Sequence, residues 1–167
     1  YGAAGLIVAV HFWRVFRESP AEHPDCNEAE REFNRRVVRL IHDLSYSTWF
    51  PQEDVGLLTD LMDELDMTLD EVREYIYRLN IKEVQNADVV VFVLDGRVPD
   101  EGACIEAGIA WALGKPIIAL KTDIRDAEPG GNNIMIDGIV SRVASSLDEL
   151  RELLEPVQRA HPQGGDV

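Results

Sequence analysis

Hydrophobic residues along the chain follow two different spacings, which predict two kinds of secondary structure. Short continuous runs of β-branched and other apolar residues are typical of buried strands. These runs are Leu6–Phe12, Ala87–Leu94, Pro116–Leu120 and Ile139–Ala144. Longer stretches repeat their apolar residues every three or four positions, or consist of small residues, and they predict helices. These stretches are Asn27–Leu44, Val55–Leu65, Leu69–Gln85, Gly102–Leu113 and Leu147–Gln158.

Polar residues mark the beginnings of two of these helices. Thr68 with Glu71, and Ser146 with Glu149, have the spacing of capping boxes, in which side chains bind the free backbone amides of a first helical turn. A short aromatic run, Tyr46–Phe50, lies between the first and second helices. The sequence itself therefore marks where two of the predicted helices begin.

The order of the elements predicts the fold class. Strands that alternate with helices of ten or more residues indicate βαβ units with right-handed crossovers. We therefore expect an α/β fold with a doubly wound, flavodoxin-like, mostly parallel five-stranded sheet and helices on both faces. The length predicts a single domain over residues 1–160, followed by a polar C-terminal tail at 161–167. Ligands of such sheets bind beyond the carboxyl ends of the strands, so the loops after Leu94, Leu120 and the first strand are candidates for the site.

The composition narrows the class of function. The 167 residues include 31 Asp and Glu against 16 Lys and Arg, a formal net charge of −15, and a surface this negative disfavours nucleic acid as a partner. Hydrophobic residues make up 46%, enough for one core, which excludes a disordered chain. The opening apolar run to Trp13 is shorter than the roughly 20 residues that span a bilayer, so we expect a soluble, cytoplasmic protein without a membrane partner. Trp13, Trp49 and Trp111 are expected in the core or at an interface.

Three carboxylates follow the central predicted strand. Asp95 and Asp100 lie in the loop after Leu94, and Glu106 lies in the first turns of the next helix. Gly102 places no side chain at the start of that helix, which predicts a position where substrate approaches the backbone closely. Glycosyl transfer requires paired carboxylates, since one attacks the anomeric carbon and another handles a proton. The same spacing also fits two turn-forming aspartates and a solvated glutamate, and the residue types alone leave both interpretations open.

A longer stretch of sequence around these carboxylates gives a more specific signal. Its parts are Asn86–Gly96 (NADVVVFVLDG), Asp100–Ala110 (DEGACIEAGIA), Ala112–Asp123 (ALGKPIIALKTD), Arg125 and Asn133–Met135 (NIM). Two upstream pieces accompany them, Glu30–Asn34 (EREFN) and Phe50–Gln52 (FPQ). In this combination the sequence resembles the nucleoside 2-deoxyribosyltransferase family, over most of the chain from about Asn27 onward.

The resemblance implies a role for each matching residue. Glu106 matches the family's nucleophilic glutamate, which attacks C1′ of the sugar and forms a covalent deoxyribosyl-enzyme. Asp100 matches a carboxylate that holds the sugar near its 5′-hydroxyl, and Asp95 borders the nucleobase, where proton handling or base contact is expected. Asn133 matches an asparagine that a neighbouring subunit delivers to the sugar, which implies a homo-oligomer with shared active sites. Asn80 stands where some members place an aspartate near the base; its amide could hydrogen-bond a base edge but could not act as a general acid.

The N-terminus departs from the family pattern, in which a strand runs into Tyr-x-Ala-Gly-Pro. Tyr1–Gly5 matches part of that pattern, and in this register Tyr1 is a substrate-binding residue that orients the glutamate. In the other register Leu6–Phe12 is the strand, and no tyrosine takes that place. His11 at the end of that strand fits either a pocket residue or a structural histidine.

The resemblance implies ping-pong transfer of 2-deoxyribose between nucleobases, with a 2′-deoxynucleoside and a free nucleobase as substrates and retention of the β configuration. Two alternatives remain open: a hydrolase of (deoxy)nucleosides or nucleotides on the same scaffold, and a non-catalytic nucleoside-binding module. Relatives that hydrolyse nucleoside 5′-monophosphates typically carry a serine in place of Asp100. A carboxylate there would repel a phosphate dianion by about a few kcal/mol, which favours nucleosides. Cys26 and Cys104 lack the spacing of metal ligands, so no metal or cofactor is expected.

Overall fold

A computed structural model describes residues 7–11, 24–49, 58–95, 101–123 and 131–160. Tyr1, Asp100 and the predicted tail at 161–167 lie outside the described residues. In chain order the elements are β1 (Ile7–His11), α1 (Pro24–Asp43), β2 (Ser47–Trp49), α2 (Leu58–Leu65), α3 (Leu69–Asn86), β3 (Val89–Val93), α4 (Glu101–Ala112), β4 (Ile117–Leu120), α5 (Ile134–Ile139), β5 (Arg142–Ala144) and α6 (Leu147–Ala160).

The described strands form one sheet in the order β2-β1-β3-β4-β5, and every neighbouring pair is parallel. The predicted α/β fold with a parallel sheet is confirmed. This strand order is the flavodoxin-like one, in which the winding direction reverses between β1 and β3. Because ligands of such sheets bind at the carboxyl ends of the strands beside the reversal, the end of β3 is the natural place for a site.

Helices cover both faces of the sheet, and β3 shows this most directly. All five residues of β3 are buried, which explains its continuous apolar run. Val89, Val91 and Val93 belong to one core cluster, with apolar residues of α1 and α6. Val90 and Phe92 belong to a second cluster, with apolar residues of α3, α4 and α5. Successive strand residues therefore pack against different helix layers, as the pleat of a strand requires.

Ile139 ends a helix rather than starting a strand, so the predicted strand Ile139–Ala144 is wrong over its first half. The helix α5 extends to Ile139, and the strand β5 begins only at Arg142 and is three residues long. Asn133 explains the difference, because its side chain accepts a hydrogen bond from the amide of Met135 at 2.9 Å and caps the first turn of α5. A six-residue helix is too short for apolar spacing to reveal it.

The helix boundaries otherwise stay near those predicted. α1 begins at Pro24 rather than Asn27, and proline is favoured at a first helical position because the amide it lacks has no partner there. Among the helices within the described ranges, none is both long and apolar enough to cross a bilayer.

The two predicted capping boxes differ in the structure. The first is confirmed: the Glu71 amide donates to the Thr68 hydroxyl at 3.4 Å, and the Thr68 amide donates to the Glu71 carboxylate at 2.9 Å. The Thr68 hydroxyl and amide together hold the pKa of Glu71 below its usual value. In the second, the Glu149 amide donates to Ser146 Oγ at 3.2 Å as predicted. The Glu149 carboxylate instead accepts from the amide and hydroxyl of Ser145, each at 2.7 Å. The carboxylate therefore binds the residue before Ser146 rather than Ser146 itself.

Candidate active site

The carboxylate of Asp95 follows β3 and joins its carboxyl end to that of β4. Asp95 Oδ1 accepts hydrogen bonds from the amides of Thr122 at 2.6 Å and Asp123 at 2.9 Å. Asp95 Oδ2 accepts from the Thr122 hydroxyl at 2.6 Å. Hydrogen bonds to an ionised acceptor are stronger than those between neutral groups. Asp95 thereby fastens the loop after β4 to the end of the central strand.

These contacts turn the Asp95 carboxylate toward β4. In the sheet, β4 lies on the side of β3 that is away from β1 and the reversal of winding. Both carboxylate oxygens are already acceptors for groups of the β4 loop. The described contacts therefore give Asp95 a positioning role, and the proton handling or base contact expected from the sequence stays a prediction.

Glu106 lies on the flank of α4, beside the stripe of the helix that is buried in the core. That stripe consists of Ala103, Ala107 and Ala110, all buried. At about 100° per residue, Glu106 lies about 65° from the centre of the stripe and about 40° from Gly102. Glu106 is half-buried and Gly102 is exposed. A carboxylate and a backbone position without a side chain thus share one flank of the helix.

Asn80 presents an unused hydrogen-bond acceptor in the layer beside α4. It lies on the buried side of α3, the side that carries the fully buried Val72 and Val84, and α3 packs against α4. Asn80 Oδ1 is buried, and none of the described residues donates a hydrogen bond to it. A buried polar atom without a partner costs about 1–3 kcal/mol and calls for an explanation such as a bound ligand or water.

A second unused polar atom lies on the same face of the sheet. Trp49 Nε1 is buried and has no acceptor among the residues that the structure describes. Thr48 points toward α1, since its hydroxyl lies 2.7 Å from Nε2 of His42. Neighbouring strand residues point to opposite faces, so Trp49 points to the face that α3 and α4 cover. Sequence reasoning missed this residue, because a single tryptophan gives no sign of which polar atom the fold will leave unpaired.

Asn133 lies at the surface of the chain. It is exposed and caps α5, and the two residues that follow are among the most exposed apolar side chains, Ile134 at 77% and Met135 at 73%. This segment is accessible to another molecule, as a role for Asn133 in a neighbouring subunit would require.

Most of the predicted residues lie on α4 or on segments that precede it or pack against it. Five of the seven lie in, just before or against α4: Gly102 and Glu106 within it, Asp95 before it, and Asn80 and Asn133 on or at the start of helices that pack against it. The other two, Tyr1 and Asp100, lie outside the described residues. Within the described ranges, no three His, Cys, Asp or Glu side chains lie close enough together to hold a metal ion.

Comparisons with solved structures show which proteins share this fold. A conserved protein from Enterococcus faecalis is 24% identical, with a TM-score of 0.66 over 93% of this chain and 99% of that chain. A 2-deoxyribosyltransferase from Bacillus psychrosaccharolyticus is 14% identical, with a TM-score of 0.59 over 87% and 90%. A CMP N-glycosidase from Clostridium botulinum is 16% identical, with a TM-score of 0.55 over 90% and 98%. At these identities the likeness shows that all three share the fold of this chain.

The family follows from the sequence comparison. The model of the nucleoside 2-deoxyribosyltransferase family matches residues 23–156, which is most of the chain. The chain belongs to this family, as the resemblance predicted. No curated protein matches the sequence significantly.

Proposed function

We propose that the protein transfers 2-deoxyribose from a 2′-deoxynucleoside to a free nucleobase, with Glu106 as the nucleophile. The observation that carries the proposal is the position of Glu106. It is a half-buried carboxylate on the flank of α4, the helix that follows the end of β3, and it lies in the part of the chain that matches the family. Parallel sheets of this winding bind their ligands at that edge.

The reaction proceeds in two displacements at the anomeric carbon. A carboxylate oxygen of Glu106 forms a bond to C1′ while the C1′–N bond breaks, and its electron pair leaves with the base nitrogen. In the second displacement, a nitrogen of the incoming base attacks C1′, and the C1′–O bond breaks to restore the carboxylate. Two inversions retain the β configuration. Because both oxygens of Asp95 accept hydrogen bonds from the β4 loop, we assign proton exchange with the bases to water and a positioning role to Asp95.

Asn80 and Trp49 support a base-binding region on the same face as Glu106. Asn80 Oδ1 offers an acceptor and Trp49 Nε1–H a donor, and neither has a partner among the described residues. The edge of a nucleobase carries both kinds of group, so a bound base can satisfy these two atoms, which lack a partner among the described residues. Satisfying a buried polar atom removes its desolvation cost, which would contribute to affinity.

The remaining roles rest on the family match. Asp100 holds the 5′ end of the sugar, and its charge favours a nucleoside over a nucleoside phosphate. Asn133 reaches the sugar of a neighbouring subunit, which makes the protein a homo-oligomer with shared sites. The first strand, β1, is the one expected in the second N-terminal register, so orientation of Glu106 by Tyr1 stays a prediction of the first register alone.

The experiment that tests the proposal follows base exchange directly. Deoxyinosine and adenine are incubated with the protein, and the products are separated by chromatography. We expect deoxyadenosine and hypoxanthine in equal amounts. Free deoxyribose without deoxyadenosine would identify an N-glycosidase instead. Binding of deoxyinosine by calorimetry, with no product at either high or low salt, would identify a binding module.

An Asn80→Leu variant in the same assay tests the base-binding region. Leucine has the same number and branching of side-chain heavy atoms as asparagine, and it removes an amide whose Oδ1 has no partner among the described residues, so the melting temperature should stay the same or rise. We expect kcat/KM for exchange to fall about tenfold, as for the loss of one buried hydrogen bond. A fall in melting temperature with unchanged kcat/KM would show a structural role instead.

A further inference from the structure

A groove separate from the candidate active site lies between α1 and α6, on the other face of the sheet from α3 and α4. Its volume is about 660 Å³, and none of the predicted site residues lines it. Small-molecule sites commonly measure roughly 300–1,000 Å³. Phe33, Leu40 and Leu147 give it an apolar floor, and all three pack in or against the core cluster on this face. The groove therefore has the size and the apolar base of a ligand site.

Three arginines surround this floor. Arg36 and Arg39 come from α1, and Arg151 comes from α6. The whole chain has 16 basic residues against 31 acidic ones, so three guanidinium groups around one groove are a local exception to its charge. Arg36 forms no ion pair with any of the described residues. Its guanidinium is available to an anion from solvent.

The other two arginines have partners that leave donors unused. Arg39 pairs with Glu32, and Arg151 pairs with Asp43 at 3.5 Å, in each case through one nitrogen and between exposed side chains. Exposed pairs of this kind contribute little to stability, and a guanidinium has five N–H donors. Asp43 and Asp148 also line the groove. The three guanidinium groups outnumber these two carboxylates, so the charged side chains of the lining sum to +1, and a dianion gains more from that charge than a monoanion does.

The hydroxyl groups at the end of the groove differ in what they can donate. The Thr122 hydroxyl donates to Asp95, and the Ser145 hydroxyl donates to Glu149. Ser146 Oγ only accepts, from the Glu149 amide, among the described residues, so its proton is available. Ser146 precedes the first turn of α6, where the helix dipole adds a favourable potential for negative charge.

We propose that this groove binds an organic phosphate, with the phosphate held by Arg36, Arg151 and the Ser146 hydroxyl. One guanidinium group can donate two parallel hydrogen bonds to two phosphate oxygens. A phosphate also carries close to two negative charges near neutral pH. Two charges gain about twice as much from the net positive lining as the single charge of a carboxylate does. The organic part of the ligand lies on Phe33 and the neighbouring apolar floor.

Three small probes and two variants test this proposal by calorimetry at low chloride. The probes are phenyl phosphate, inorganic phosphate and benzoate, which separate the contributions of charge and apolar contact. We expect phenyl phosphate to bind at one site, roughly tenfold more tightly than inorganic phosphate because of apolar burial, and more tightly than benzoate because of charge. Arg36→Ala should weaken phenyl phosphate about tenfold.

Arg35→Ala is the matched control, since Arg35 is an exposed neighbour on the same helix that pairs with Glu32 and does not line the groove. We expect its affinity for phenyl phosphate to stay within twofold of the wild type. Three results would overturn the proposal: no saturable binding of phenyl phosphate, equal binding of benzoate, or equal weakening by both variants, which would indicate general attraction to positive charge. Because Glu106 lies on the other face, a failed base-exchange assay leaves these results unaffected.

Discussion

Replacing Glu106 by alanine is expected to abolish base exchange. The variant lacks the atom that bonds to C1′, so kcat should fall by about 10⁴-fold or more, the order seen when a covalent nucleophile is removed. Glu106 is half-buried on the flank of α4 rather than in its packed stripe, so the melting temperature should change by only a few degrees. Initial rates of deoxyadenosine formation and a thermal melt of the same sample measure both effects.

Glu152→Ala provides the matched control for Glu106. Glu152 is exposed on α6, on the other face of the sheet, and the variant removes the same charge from a chain of net charge −15. It should exchange bases at the wild-type rate. A Glu106→Ala variant with near-normal exchange would rule out the nucleophilic role, whatever the control shows.

The second large effect is expected on stability, from Asp95→Ala. The substitution removes an acceptor that receives three hydrogen bonds from Thr122 and Asp123. Because these donors are partly accessible to water, we expect a loss of about 2 kcal/mol in the free energy of unfolding, or about 4–8 °C in melting temperature. Asp88→Ala, at the exposed amino end of β3, is the control and should melt like the wild type.

A second substitution, Asp95→Asn, distinguishes a positioning role of Asp95 from proton transfer. Asp95→Asn keeps one accepting oxygen but cannot transfer a proton, so we expect it to retain exchange within about tenfold and to melt between the wild type and Asp95→Ala. Loss of exchange comparable to that of Glu106→Ala, with an unchanged melting temperature, would instead assign Asp95 to the chemistry. A shift of the pH profile in Asp95→Asn would point the same way.

Local sequence was sufficient to predict β3 and α4, the two elements that position Asp95, Gly102 and Glu106. The uninterrupted apolar run over β3 predicted a strand covered on both faces, because a residue type is strongly constrained where both sides are buried. The small residues of α4 likewise predicted a helix that approaches the sheet closely, and Ala103, Ala107 and Ala110 are buried there. Glu106 was assigned through the resemblance, and the structure adds its place on the flank of that helix.

Contacts between distant parts of the chain could not be predicted in this way. Asp95 and Thr122 are 27 residues apart, and their bond exists only because β3 and β4 are neighbours in the sheet. The one sequence signal for such a hydrogen bond is a polar residue directly after each of two strands that are neighbours in the sheet. Asn80 Oδ1 and Trp49 Nε1, which have no partner among the described residues, left no signal in the sequence, since their surroundings result from the packing of whole elements. The same holds for Arg36 and Arg151, which come from opposite ends of the chain to one groove.

Covalent transfer through Glu106 is tested most directly by trapping the sugar on the protein. The enzyme is mixed with excess deoxyinosine and no acceptor base, stopped with acid within the first turnover, digested and analysed by mass spectrometry. We expect one deoxyribosyl group on the peptide that contains Glu106, released as deoxyadenosine when adenine is added before the acid. Turnover without any adduct, or an adduct on a different residue, would contradict transfer through Glu106.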